Sequence, residues 1–148
     1  EAIVKGYHGE GFTPVIPVIE DFDLDYKVTY HNLWSELNLA ASELDLGEYQ
    51  SVAFELQETP EEGLLHIKVY GEEDGREQYT GFSGTSASIS FDRSALGDKA
   101  KRITLQCLKE GEHTVVLKNV CLIRKDGTME ECAPSVFWGC EMEVVVNP

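Results

Sequence analysis

The sequence has 148 residues, which corresponds to one domain and is enough to enclose a hydrophobic core without disulfides or metals. Its formal net charge of −15 argues against nucleic acid and anionic membranes as partners, since both require clustered lysine and arginine. It has no apolar run long enough to span a membrane, and we expect no signal peptide. Its first residue is Glu rather than Met, so we expect a processed product or a segment excised from a larger protein.

The first third of the chain predicts short or peripheral strands. Pro14 and Pro17 restrict residues 1–25 to extended segments or an edge strand. Val28 and Tyr30 indicate a short strand, and the following segment SELNLA predicts the edge of a sheet. We expect ASELDLGEY to be a loop with one helical turn at most.

The middle of the chain alternates between apolar and polar residues, which is typical of half-buried strands. SVAFELQE directs Val52, Phe54 and Leu56 inward and Glu55 and Gln57 outward. LLHIKVY alternates in the same way. Its predicted inward residues are Leu65, Ile67 and Val69, and its predicted outward residues are His66, Lys68 and Tyr70.

A hairpin turn is predicted at Asp74-Gly75, because glycine accepts the positive φ that such turns need. A turn centred there pairs Tyr70 with Tyr79 across the two strands, with both rings on the polar face. The same register directs Phe82 into the core.

The last third predicts further strands. SASISFD alternates, and RSALGDKAK is expected to be a connecting loop with one helical turn. RITLQCL directs Gln106 outward and Cys107 inward, and it is predicted to form a hairpin with HTVVLKNVCLI through EGE. The latter segment is apolar on both faces and so predicts a central strand. FWGCEMEVVV is predicted to be one closing strand, in which Trp138 shares its parity with core residues.

Many short strands with turn signals and almost no helix predict an all-β, two-sheet antiparallel β-sandwich of the jelly-roll type, formed by residues 1–148 as one domain. The four cysteines lack the spacing of a zinc site. Cys132 and Cys140 flank a short loop, and the sequence leaves open whether they form a disulfide.

Two stretches resemble jelly-roll carbohydrate-binding modules of bacterial plant-cell-wall hydrolases. LDLGEYQSVAFEL resembles the entry into one of their strands, and RITLQ followed by HTVVLKNVCLIRKDGT resembles their ending, so the similarity covers roughly residues 40 to 130. The resemblance implies a secreted, monomeric, non-catalytic module. It would bind β-glucan or hemicellulose along the concave face of one sheet, beside a glycoside hydrolase in the same polypeptide.

The resemblance also implies a structural calcium ion, which such modules often carry. Acidic residues near the N-terminus, including Asp21 and Asp23, offer the oxygen ligands that calcium prefers. The chain departs from the family pattern at Lys118, where the family usually has an acidic residue. No cofactor beyond this ion is expected.

Sugar recognition needs exposed aromatic rings that stack on the sugar, with planar hydrogen-bonding groups beside them. For each candidate the structural alternative is a core residue, a cross-strand pair or a solvated face. The candidates are Tyr70, Tyr79, Trp34, Trp138, His66, Lys68, Gln106, Glu55 and Gln57.

The predicted function is non-catalytic binding of a β-1,4-linked or mixed-linkage glucan, or of a hemicellulose such as xyloglucan or glucomannan. No nucleophile motif, phosphate loop or histidine cluster points to an enzyme. Two alternatives remain open at this stage, a protein-interaction or spacer β-sandwich and a small jelly-roll glycan hydrolase or lyase.

Overall fold

The fold is built from two antiparallel β-sheets. The computed structural model describes residues 2–7, 23–40 and 43–147, with residues 2–7, 23, 40 and 147 described by their backbone alone. The described strands are β1 (Ala2–Tyr7), β2 (Asp23–Tyr30), β3 (Glu36–Ala40), β4 (Leu44–Asp45), β5 (Tyr49–Leu56), β6 (Leu65–Tyr70), β7 (Glu77–Gly81), β8 (Ser86–Ser90), β9 (Lys99–Ala100), β10 (Arg102–Cys107), β11 (His113–Arg124), β12 (Met129–Glu131), β13 (Ser135–Trp138) and β14 (Cys140–Asn147).

The larger sheet has seven strands in the order β1-β14-β2-β11-β5-β8, with β12 paired to β11. The smaller sheet has five strands in the order β13-β3-β10-β6-β7, and β4 pairs with β9 separately. The helical turn predicted in RSALGDKAK is α1 (Arg93–Leu96), which begins after the capping side chain of Asp92. The predicted all-β, two-sheet antiparallel sandwich is confirmed.

The core lies between the two sheets, because each strand turns its apolar parity inward. The inward side chains of both sheets form one hydrophobic cluster. Phe54 of the larger sheet meets Phe82 beside the smaller one edge to face, with 5.0 Å between ring centroids, as the predicted inward parity of Phe82 requires. The Tyr30 hydroxyl, fully buried, donates to the Leu105 carbonyl at 3.0 Å and so ties one sheet to the other.

Three local predictions are wrong. SELNLA forms β3, which lies between β13 and β10 and is not an edge strand. ASELDLGEY contains the short strand β4 and the start of β5, with hydrogen-bonded turns between them. β10 and β11 do not form a hairpin, since the chain changes sheets between them.

The predicted closing strand is divided in two at Gly139. Its φ of 68° lies in the left-handed region, and a Cβ there would meet Ser35 Oγ at 2.5 Å. β13 therefore joins the smaller sheet while β14 joins the larger one. Because the chain passes from one sheet to the other at Gly139, Trp138 does not continue the inward alternation of Cys140 and Met142.

All four cysteines are free thiols. Cys140 Sγ donates to the Glu36 carbonyl, and Cys132 Sγ donates to the Glu130 carbonyl. The disulfide that the sequence left open between Cys132 and Cys140 is therefore not formed. Cys107 is fully buried, as predicted.

Among the residues that the structure describes, no helix is long and apolar enough to cross a membrane.

Candidate functional site

Five of the predicted residues lie on the outer face of the smaller sheet, which we call the aromatic face. In β6, burial alternates strictly, so His66, Lys68 and Tyr70 point away from the core. The register places Gln106 of β10 opposite His66 and Tyr79 of β7 opposite Lys68, so all of them share one face. Tyr79 is 49% exposed, which leaves much of its ring open to a ligand.

The predicted direct pairing of Tyr70 with Tyr79 is wrong by two residues. Tyr70 pairs with Glu77, and Tyr79 pairs with Lys68. The turn does contain Gly75 at φ 88°, but Glu72 leaves the ladder because its N–H donates to the carbonyl of Leu96. Residues 72–75 therefore form a longer loop than a two-residue turn, and the two tyrosines lie diagonally.

Glu55 and Gln57 do not belong to the aromatic face. Glu55 is exposed on β5, which is part of the larger sheet, and Gln57 follows the end of that strand. Both side chains were correctly predicted to point outward. They point outward from the larger sheet, however, and so lie on the opposite side of the molecule from the aromatic face. Both are removed from the candidate site.

Trp34 stands at the edge of the aromatic face in the loop between β2 and β3. It is 54% exposed, and its φ of 72° is uncommon for a residue other than glycine. Its N–H donates to the Cys107 carbonyl at 2.9 Å. Ser35 Oγ, fully buried, donates to the Asn32 carbonyl at 2.7 Å and lies 3.0 Å from the Gly139 carbonyl. These contacts fix an exposed tryptophan in a strained backbone conformation, as is common at functional sites.

Trp138 is half-buried in the edge strand β13, where it pairs with Glu36 across a register shift. Its neighbour Phe137 carries the guanidinium of Arg102 at 3.8 Å from the ring centroid. Arg102 pairs directly with Tyr70, so this contact extends the aromatic face toward the β13 edge.

A chain of contacts crosses the sheet from Trp34 to Tyr79. Gln106 Nε2 donates to the Trp34 carbonyl at 3.3 Å, and Gln106 Oε1 lies 2.8 Å from His66 Nε2. Because the amide oxygen is an acceptor only, His66 must donate from Nε2, which leaves Nδ1 as an acceptor. The imidazole in turn contacts the Tyr79 ring at 4.9 Å between centroids. Burial lowers the pKa of His66, so the neutral ring is the dominant form at pH 7.

Glu36 is the buried carboxylate of the aromatic face. It is only 8% exposed, and Tyr70 Oη donates to it at 2.6 Å and 2.8 Å from its two oxygens. Thr104 Oγ1 donates to Glu36 Oε2 at 2.7 Å. Burial and the bond to Glu36 raise the pKa of Tyr70 well above its ordinary value. The hydroxyl groups of Tyr70 and Thr104 thus satisfy the carboxylate and hold the Tyr70 ring across the sheet.

Lys68 and Glu77 form a second polar group on this face. Lys68 Nζ lies 3.1 Å from Glu77 Oε2, 4.6 Å from the Tyr70 ring centroid and 5.8 Å from that of Tyr79. The Tyr79 hydroxyl donates to Glu77, and this bond raises the pKa of Tyr79 to about 12. Hydrogen bonds from Tyr79 and Lys68 lower the pKa of Glu77. Lysine and glutamate therefore neutralise each other between the two tyrosines.

The calcium prediction falls mainly outside the described residues. Asp21 is outside them, and so is the side chain of Asp23. Of the neighbouring acids, Asp25 is described, and its carboxylate is occupied by Lys118, whose Nζ lies 2.9 Å away. Within the described part of the chain no cluster of three acidic, histidine or cysteine side chains could hold a metal ion. Lys118 thus supplies at Asp25 the positive charge that a metal would supply, and calcium does not fit there.

The sequence interpretation missed five residues of this face. Arg102 and Thr104 share the parity of Gln106 within β10, so the alternation of RITLQC could have identified them. The other three become apparent only once the strand order and the hairpin register are known. The missed residues are Glu36, Glu77, Arg102, Thr104 and Phe137.

No family model matches the chain, and no curated protein sequence matches it either. A solved structure described as a low-affinity xylan-binding module, CBM86, from the gut symbiont Roseburia intestinalis is similar to it. The identity is 11%, the TM-score is 0.44, and the match covers 99% of this chain and 97% of that one. The ligand of this chain is therefore inferred below from its own side chains.

Proposed function

We propose that the chain is a non-catalytic module that binds a neutral polysaccharide across its aromatic face. The observation that carries this proposal is the chain of contacts between two exposed aromatic residues, Trp34 and Tyr79, through Gln106 and His66. The rings would stack on the flat C–H faces of sugar rings, while the amide and imidazole between them would contact hydroxyl groups.

The dimensions favour an oligomeric ligand. From β3, beside Trp34, to β7, which carries Tyr79, there are three strand spacings, or about 14 Å. A chain of sugars can contact both aromatic residues at once, whereas a single sugar cannot. Aromatic side chains have few rotatable bonds, and the Tyr79 ring already contacts His66, so little entropy is lost on binding.

The electrostatics favour a neutral ligand for most of the face. Lys68 is paired with Glu77, and Glu36 is occupied by the hydroxyl groups of Tyr70 and Thr104. The net charge of −15 would repel a densely anionic polymer. Binding of a neutral chain should therefore be nearly independent of salt.

The two carboxylates do not resemble the pair of a glycosidase. Such an enzyme needs one carboxylic acid with a raised pKa to protonate the leaving group. The pKa of Glu77 is lowered instead. Glu36 is buried and accepts hydrogen bonds from the hydroxyl groups of Tyr70 and Thr104, so its oxygens are already engaged within the protein.

Within this proposal, the ligand is a β-1,4-linked or mixed-linkage glucan or a hemicellulose. The module would act as a secreted monomer that tethers an appended glycoside hydrolase and raises the local concentration of its substrate. The choice among these polysaccharides and the presence of an appended hydrolase do not follow from the geometry of the aromatic face.

Affinity electrophoresis against β-glucan, xyloglucan, glucomannan and xylan tests the proposal. We expect retardation on at least one gel, and a loss of at least about fivefold in affinity for Trp34→Ala and for Tyr79→Ala. Met129→Ala is the matched control, because Met129 is 63% exposed on a strand of the larger sheet.

No retardation on any of the four gels would refute the proposal and favour the protein-interaction or spacer alternative. Release of reducing sugar from any of these polysaccharides would instead favour a hydrolase.

A further inference from the structure

We propose that Arg102 forms a subsite for a carboxylate group carried by the bound polysaccharide, such as a uronic acid side group. This inference rests on the proposed function and names a feature of its ligand. It concerns the end of the aromatic face at β13, away from the row between Trp34 and Tyr79.

Among the cations whose side chains the structure describes, Arg102 alone is half-buried without an ion pair, whereas Lys27, Arg76 and Lys125, which also form none, are exposed. Among the described residues, its guanidinium has no hydrogen-bond acceptor and no carboxylate partner, and its Nη1 is buried without a hydrogen bond. A half-buried charge with unused donors is unusual, because such donors are nearly always paired. By contrast, ion pairs engage Lys68, Arg93, Lys99, Lys101, Lys109, Lys118 and Arg124.

Stacking holds this guanidinium in place. Its central carbon lies 3.8 Å from the centroid of the Phe137 ring, within the range of a cation–π contact. A ring that covers one face of a guanidinium leaves the N–H groups at its edge unused. Because Nη1 is buried, the donors left for a carboxylate are Nη2–H and Nε–H, which lie along one edge and match its two oxygens, a geometry that arginine binds well.

The position of Arg102 on the face suits a substituent of a bound chain. It is the direct cross-strand partner of Tyr70, which lies diagonally beside Tyr79 on the neighbouring strand pair. Its positive charge acts at this surface, because it opposes the rise in the Tyr70 pKa that burial and Glu36 cause. A polysaccharide that contacts the tyrosines would therefore carry its side groups past Arg102.

The negative net charge of the protein does not exclude such a contact. Over distances longer than about 8 Å, physiological salt screens the repulsion from other acidic residues. The two carboxylates of the aromatic face are already engaged. Glu36 accepts from the hydroxyl groups of Tyr70 and Thr104, and Glu77 is paired with Lys68. A sparse carboxylate on an otherwise neutral chain thus meets one unpaired cation.

The test compares two matched pairs of polymers by affinity electrophoresis. One pair is glucuronoxylan and the same preparation after reduction of its carboxyl groups to alcohols. The other is mixed-linkage β-glucan and the same polymer after partial oxidation of its primary alcohols to carboxylates. In each pair that binds, we expect the carboxylate form to bind about three- to fivefold more tightly at about 0.15 M salt, where the general repulsion is screened; this is the range of a partly exposed ion pair.

Arg102→Gln should abolish this preference, so that the ratio of the affinities for the carboxylate and neutral forms falls to about one. Arg102→Lys should keep only part of it, since lysine retains the charge but lacks the planar pair of donors. Lys27→Gln removes the same charge from an exposed position of the larger sheet, and it should keep the full preference. Because each variant is its own reference, a loss of folded protein changes both affinities but not their ratio.

The inference is overturned if neither pair shows a preference for the carboxylate form, or if the preference persists in Arg102→Gln. Equal binding of the two forms would leave the proposed function intact. Absence of binding to all four of these polymers would overturn the inference, and absence of retardation on the xyloglucan and glucomannan gels as well would overturn the proposed function.

Discussion

The hydrogen bond from Tyr70 to Glu36 predicts a measurable loss of stability in Tyr70→Phe. The substitution keeps the ring and removes the hydroxyl group that lies 2.6 Å and 2.8 Å from the two Glu36 oxygens. A hydrogen bond to a charged group contributes about 1.5–3 kcal/mol, and Thr104 would remain as a partner of the carboxylate. We therefore expect unfolding to require about 2 kcal/mol less free energy.

The corresponding change in melting temperature follows from the size of the domain. For 148 residues the entropy of unfolding is about 0.3 kcal/mol/K, so 2 kcal/mol corresponds to a decrease of about 6 °C. Urea titration followed by tryptophan fluorescence gives the free energy, and calorimetry gives the melting temperature.

A double-mutant cycle identifies the partner of the lost bond. In a Glu36→Gln background the acceptor is neutral, so Tyr70→Phe should cost about 1 kcal/mol less than in the native protein. An equal cost in the two backgrounds, or a cost below about 0.5 kcal/mol in the native one, would show that this bond does not stabilise the fold.

The same bond has a pH dependence whose sign is fixed. The pKa of Tyr70 is raised in the folded state by burial and by Glu36, above the value of 10.0 that applies to an unfolded chain. Its contribution to stability is therefore complete below pH 10 and decreases as the pH rises further, where the unfolded chain ionises first. Tyr70→Phe should remove this part of the alkaline destabilisation.

Three further predictions concern other parts of the chain. Gly71→Ala should destabilise the fold by about 1–3 kcal/mol in urea titration, because its Cβ would lie 2.5 Å from the carbonyl oxygen of Leu96; Gly81→Ala, where nothing lies within 4 Å, should not. Lowering the pH below 6.5 should reduce the melting temperature, because burial lowers the pKa of folded His66 and the unfolded chain therefore binds the proton first. His66→Gln should make the melting temperature less dependent on pH in this acidic range. An unchanged pH dependence in this variant would contradict the prediction. Chelation by EDTA should leave the melting temperature unchanged, because Lys118 supplies the positive charge beside Asp25. A decrease would favour calcium.

The sequence predicted the fold because its signals are local. Alternation in the segments around Val52 and Ile67 shows which side chains face the core, and burial in β5 and β6 follows that parity. Which sheet each strand joins depends on long-range pairing, and parity contains no information about it. Glu55 illustrates this, because its outward direction was correct and its sheet was not.

Two contacts of single residues explain the other errors. The register of the hairpin shifted because Glu72 pairs with the end of α1, a contact between segments far apart in sequence. The last strand is divided because Gly139 packs against Ser35, which the local pattern FWGCEM does not reveal. The candidate site was therefore predicted in its central part, around His66 and Tyr79, and missed where it depends on partners such as Glu36.

The Gln106 amide already forms hydrogen bonds with Trp34 and His66 before any ligand arrives, and this affects how long a ligand would stay bound. A sugar hydroxyl that approaches the Gln106 amide exchanges one hydrogen bond for another, so few additional bonds would have to break when it leaves. Affinity differences between related complexes arise mainly in the dissociation rate, and here that rate would be fast. Under the proposed function, a module with brief contacts would move repeatedly to new positions along a polymer, and the enzyme proposed to be appended to it would reach many bonds without being held at one.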